Sequence, residues 1–262
     1  MKNFIITITA IFTMAFSFTF SGCKAQTPNS IAVDETAVTY LNDCTDTVLF
    51  NQIFMDYHAN LGQLSKNLGI GQIKANEKLT VRIGAIDDTD RLSLKSASIC
   101  AAGKRASKRE QVAQSNPQPL IQMINNELKN QKKLSERHMA SSPIIATMLK
   151  AFREMNSEAT REILVVCSDG VEFSDNANLY KSIPTTDEAV AKVVGKLDGI
   201  LLAEAKGRIE EVRPQVVFVL KPNAKAKTAD LKLFYTKLFN QIGVTSVAFI
   251  DDMTNNPHLS DY

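Results

Sequence analysis

The chain has 262 residues, with 30 Lys and Arg against 28 Asp and Glu, a formal net charge of +2 and no tryptophan. Charge this close to balance leaves no electrostatic footprint for nucleic acid. The length suffices for one α/β domain with a sizeable core, and no internal repeat or long low-complexity tract divides it.

MKNFIITITAIFTMAFSFTFSGCKAQ comes first: one lysine at Lys2, an apolar run over 4–20, then Ser21-Gly22-Cys23. The run is short for a spanning helix and is followed by small residues, which reads as a secretory signal over 1–22. Phe20-Ser21-Gly22-Cys23 resembles the bacterial lipobox, although phenylalanine stands where leucine is usual. The resemblance implies lipidation of Cys23 and a periplasm-facing, membrane-anchored protein of the cell envelope. Ordinary secretion, with Cys23 free or disulfide-bonded, is the alternative. A polar tether over 23–35 follows, and residues 253–262 read as a tail. With Cys23 lipidated, Cys44, Cys100 and Cys167 remain; Cys44 and Cys100 are candidates to pair, while Cys167 reads as a buried thiol.

Strand 37–41 leads to an amphipathic helix over 47–68, with Leu49, Ile53, Phe54, Tyr57, Leu61 and Leu64 at helical spacing. Strand 78–86 alternates apolar and polar residues, and 92–100 reads as a third strand, antiparallel to its neighbour. Lys104-Arg105-Ala106-Ser107-Lys108-Arg109 lacks interleaved aromatics and reads as a solvated loop. Pro117 and Pro119 open a helix to about residue 133. Ser142 is placed to cap the next helix, to about 155, with Pro143 in its first turn. The continuous apolar run 162–167 suits a central parallel strand buried on both faces. Helix 187–205, strand 215–220, helix 228–242 and strand 245–250 complete an alternation that predicts a doubly wound, mostly parallel sheet flanked by helices over 36–252.

Ligands of such sheets bind outside the carboxyl ends of the strands, at the point where strand order reverses. Asp43, Thr45 and Thr47 offer oxygens at alternate positions of one loop, Ser142 adds a hydroxyl and Asp169 a second carboxylate. An all-oxygen set suits a hard cation, Mg²⁺ first, with Mn²⁺ or Ca²⁺ as substitutes, and disfavours zinc. Asp43-Cys44-Thr45-Asp46-Thr47 resembles the Asp-x-Ser-x-Ser motif of von Willebrand factor A domains, with threonine in both serine places. Ser142-Pro143-Ile144 resembles that family's Thr-Pro-Leu helix start, and Ser168-Asp169-Gly170 its Thr-Asp-Gly strand end. The resemblance implies a metal-ion-dependent adhesion site at Asp43, Thr45, Thr47, Ser142 and Asp169, where the cation keeps a position open for a carboxylate of a protein partner. It implies binding without turnover.

Plainer roles exist at each position. Asp43 and Thr47 suit the cap of the helix that follows, and Asp169-Gly170 suits a turn. Asp87-Asp88 with Asp90 reads as a polar loop or as outer-shell oxygens. His58, His138 and His258 read as structural or solvated, and no spacing nominates a general base, so a metal-assisted hydrolase is the weakest alternative. A metal-free assembly scaffold of the same fold stands between the two. No glycine-rich phosphate loop or GxGxxG fingerprint is present.

Overall fold

The computed structural model describes residues 33–67, 73, 77–89, 91–100, 116–221 and 227–251, with only the backbone of 58–67. The expected signal, Cys23, nearly all of the tether, the 104–109 run, Asp90, His258 and the tail lie outside the described residues, as do the side chains of His58, Leu61 and Leu64.

The described elements follow the order β1 (Asp34–Asp43), α1 (Thr47–Asn67), β2 (Glu77–Ile86), β3 (Lys95–Cys100), α2 (Gln118–Ser135), α3 (Ile144–Arg153), β4 (Arg161–Ser168), α4 (Asp187–Val194), α5 (Gly199–Val212), β5 (Gln215–Leu220), α6 (Thr228–Ile242) and β6 (Ser246–Ile250). The six strands form one sheet in the order β3-β2-β1-β4-β5-β6. Only β3 is antiparallel, against β2 with Lys78 opposite Cys100. The other four pairings are parallel. Strand order reverses between β1 and β4, so the crevice of a doubly wound sheet lies at their carboxyl ends.

Side-chain alternation divides the interior into two cores. From β4, Ile163, Val165 and Cys167 join Val38 and Tyr40 of β1 beneath α1 and α2, packing on Leu49, Ile53, Tyr57, Leu120 and Ile124. Leu164 and Val166 face the other way, with Leu41, Phe218 and the apolar faces of α3, α5 and α6. A strand buried on both faces must be apolar at odd and even positions alike, which is why 163–167 is a continuous apolar run after the ion-paired Glu162.

Three local expectations are corrected. The helix expected over 187–205 is two, because the chain leaves helical geometry after Gly195 and restarts with Asp198 accepting from the Leu201 amide at 2.8 Å. The third strand begins at Lys95, since Leu92 and Leu94 turn to the core that holds Leu41 and Phe218 as half-buried contacts. Cys44 and Cys167 are both buried free thiols, so Cys44 does not pair with Cys100. Among the described residues, no helix is long and apolar enough to cross a membrane.

Candidate functional site

β1 runs two residues past the expected strand end and delivers Asp43 to the sheet's carboxyl edge opposite Ile86 of β2. Asp43 is 1% exposed. Its Oδ1 accepts from the Thr45 amide at 3.0 Å and the Thr45 hydroxyl at 2.6 Å, and its Oδ2 accepts from Ser168 Oγ at 2.6 Å. Burial pushes the Asp43 carboxyl up to about 6; the bonds from Ser168 and Thr45 oppose this, and the charge of Asp169 adds to it.

Thr45 is half-buried beside Asp43, whereas Asp46 and Thr47 are exposed. Neither Asp43 nor Thr47 caps α1. The cap is Asp46, whose Oδ1 accepts from the Leu49 amide at 2.8 Å. The Thr47 hydroxyl donates to the Ser135 carbonyl at 2.6 Å, tying the start of α1 to the end of α2. That bond uses the proton of Thr47 and leaves lone pairs on its oxygen.

Ser142 does not cap α3. Pro143 occupies the N-cap position with no side-chain bond, and the Glu172 carboxylate takes the role from outside, accepting from the Ile145 amide at 2.9 Å. Ser142 instead exchanges both backbone bonds with Phe173, N to O at 2.7 Å and O from N at 3.1 Å. Its Oγ is buried without a hydrogen-bond partner. A buried hydroxyl left this way costs free energy unless a ligand or ion completes it.

Asp169 follows β4 and is 8% exposed, with Oδ1 accepting from the Val171 amide at 2.9 Å. Gly170, at φ 74°, turns the chain over Tyr235, whose hydroxyl donates to the Gly170 carbonyl at 3.0 Å. Glu172 is fully buried and accepts from the Ser174 hydroxyl. Burial lifts its carboxyl to about 7 against the pull of Ser174 and the Ile145 and Ile144 amides. No salt bridge among the described residues engages Asp43, Asp46 or Glu172.

The edge therefore brings Asp43, Thr45 and Asp169 within one field, with Ser142 held beside Glu172 through Phe173. Oxygen donors and a buried hydroxyl without a partner fit a hard cation. Zinc is disfavoured because the set offers no histidine or thiolate; the nearby Cys44 thiol is buried and donates to the Asn42 carbonyl at 3.5 Å. Two observations weigh the other way. Asp87 Oδ1 accepts from the Thr89 amide at 2.9 Å and the Thr89 hydroxyl at 2.6 Å, so the Asp43–Thr45 geometry recurs in an ordinary loop. No group of three or more His, Cys, Asp or Glu among the described residues is arranged for a metal.

No motif in the sequence marks Glu172, Phe173 or Tyr180 as residues of this edge, and Ser168 is marked only weakly. Ser168 had a signal, its place beside Asp169 at the end of an apolar run. The others lie in the aperiodic 169–186 stretch. His138 is exposed.

No family model matches the chain, and no curated protein matches it. Among solved structures it is similar to the human COPII-coat protein Sec24c, at 12% identity and a TM-score of 0.43, over 87% of this chain and 30% of that one. It is also similar to a von Willebrand factor type A from Catenulispora acidiphila, at 11% identity and a TM-score of 0.34, over 84% of this chain and 39% of the other. The chain thus spans well under half the length of either, and its doubly wound, mostly parallel architecture is read from its own strand order.

Proposed function

We propose that this chain is a lipid-anchored protein of a bacterial cell envelope whose domain, of the von Willebrand factor A kind, binds a protein partner through a Mg²⁺-type cation. Asp43, Thr45, Thr47, Ser142 and Asp169 would hold the ion, and Cys23 would carry the lipid. The observation that carries the metal reading is the buried, unpartnered Ser142 Oγ at the same sheet edge as two buried aspartates. When bound, such a cation supplies an open coordination position for a partner's carboxylate. The chain's part is preorganisation: Ser168 and Thr45 fix the Asp43 carboxylate, and the Phe173 bridge fixes the backbone of Ser142.

Calorimetric titration of the purified full-length protein with Mg²⁺ and Mn²⁺, beside Asp43→Asn, tests the site. Saturable binding lost in a folded variant supports it; no binding by the folded wild type removes it. Incorporation of labelled palmitate into wild type but not Cys23→Ser tests the anchor.

A metal-free scaffold is the second reading, favoured by the three bonds that already satisfy Asp43 and by their likeness to the Asp87–Thr89 loop. Partner capture that persists in excess chelator decides for it. A metal-assisted hydrolase that polarises a substrate oxygen with the same carboxylates is the third reading, ranked last because no spacing nominates a general base; turnover of generic phosphoesters that is lost in Asp169→Ala would favour it.

A further inference from the structure

Between β4 and α4 the chain runs from Asp169 to Thr186 without a helix or a named strand, yet it is closely held. Val171 and Leu179 are anchored in the core at 1% and 3% exposure, and Glu172 is fully buried. The Leu179 amide donates to the Glu172 carbonyl and the Ser174 amide to the Ala177 carbonyl, both at 2.9 Å, which closes a small hairpin. Phe173 is bridged to Asn178 within this hairpin and to Ser142 across it. Against that background two large rings are left in water, Phe173 at 41% and Tyr180 at 55% exposure, with centroids 6.2 Å apart and planes at 74°. Apolar surface exposed on an otherwise anchored loop costs hydration free energy and is a common mark of a contact surface, where aromatic side chains carry much of the binding.

Tyr180 is within electrostatic reach of the carboxylates. The Tyr180 phenol is raised by partial burial first, then by the charges of Asp169, Asp43 and Asp46. Phe173 is the direct antiparallel bridge partner of Ser142, and directly opposed residues of such a pair carry their side chains on the same face.

We propose that Phe173 and Tyr180 form the specificity rim of the cation site, taking the apolar side chain that flanks the carboxylate on a protein partner's segment. This rests on the metal reading above. A bound divalent cation offsets two of the three charges of Asp169, Asp43 and Asp46, and the two exposed rings offer their apolar surface to the flanking side chain.

The test uses bead-displayed pentapeptides with a central Asp and randomised flanks, an Asn-centred set as control, and the purified full-length protein in Mg²⁺. Tyr180→Ala and Phe173→Leu are compared with wild type, and Mn²⁺ binding is measured on each. Wild type is expected to enrich Asp over Asn and to prefer apolar flanks. Tyr180→Ala is expected to keep Mn²⁺ affinity within about twofold while capturing apolar-flanked Asp peptides about tenfold more weakly. Unchanged flank preference in both variants, with Mn²⁺ bound, overturns the rim and spares the metal reading. Enrichment of Lys or Arg flanks by wild type overturns it too. Absence of Mn²⁺ binding by wild type removes the metal reading and the rim with it.

Discussion

Ser168 Oγ donates to Asp43 Oδ2 at 2.6 Å, joining the ends of β1 and β4 where the strand order reverses. The same hydroxyl accepts from the Gly170 amide at 2.9 Å, so one oxygen orients the Asp43 carboxylate and the turn that follows Asp169. Removing it in Ser168→Ala leaves a buried carboxylate short of a donor and an amide short of an acceptor. The expected loss is about 2 kcal/mol at pH 8 and less at pH 5, because the hydroxyl favours the charged carboxylate. Urea unfolding at both pH values checks this, and equal losses would show that Ser168 does not act through the charge of Asp43.

Gly170 combines φ 74° with a crowded environment in which an added Cβ would lie 2.7 Å from Leu220 Cδ1. Gly170→Ala is therefore strained in backbone and in packing, and a loss of about 2 kcal/mol or more is expected. Chemical denaturation measures it. A variant as stable as wild type would mean that the turn relaxes, and the Tyr235 bond to the Gly170 carbonyl should then lengthen.

The doubly wound sheet was legible because it is written in long-range pattern. Residues 163–167 are apolar at odd and even positions, and helical stretches alternate with strands from β4 onward. Of the candidate site, the sequence marks only the residues at the sheet ends. Asp43, Thr45, Asp46 and Thr47 all carry oxygens suited to a cap, and in the fold it is Asp46 that accepts from the Leu49 amide while Asp43 is held by Thr45 and Ser168. Ser142 before Pro143 has the right chemistry for a cap, but its bridge to Phe173 and the carboxylate of Glu172, 30 residues downstream of it in sequence, displace it. Residues brought together by an aperiodic loop leave no spacing to read.

Asp46 and Thr47, adjacent in sequence, separate capping from the metal proposal. Asp46→Ala removes the acceptor of the Leu49 amide and is expected to cost about 1 kcal/mol while leaving Mn²⁺ binding unchanged. Thr47→Ala breaks the tie to the Ser135 carbonyl at similar cost and is also expected to weaken Mn²⁺ binding, with Thr47→Ser restoring both. Calorimetry and urea melts on the three variants give both readouts. Unchanged Mn²⁺ affinity in Thr47→Ala would remove Thr47 from the ligand set and leave it as a helix-to-helix tie.

Glu172 sets the pH behaviour of the metal-free domain. Its carboxyl sits near 7 in the fold against an ordinary 4.5, chiefly through burial. A carboxyl raised by folding binds its proton more tightly in the native state, so its contribution is full below about pH 4.5 and lost as pH rises through 7. The loss amounts to roughly 3 kcal/mol. Asp43, raised from 3.8 to about 6, adds a fall of the same sign that ends lower. Glu172→Gln keeps an oxygen for the Ile145 amide and cannot ionise, so the fall should be confined to below about pH 6. Urea unfolding in chelator at pH 5, 6, 7 and 8 reads the difference. Wild type should lose stability between pH 6 and 7 where the variant is flat, and parallel curves there would place the titration on another group.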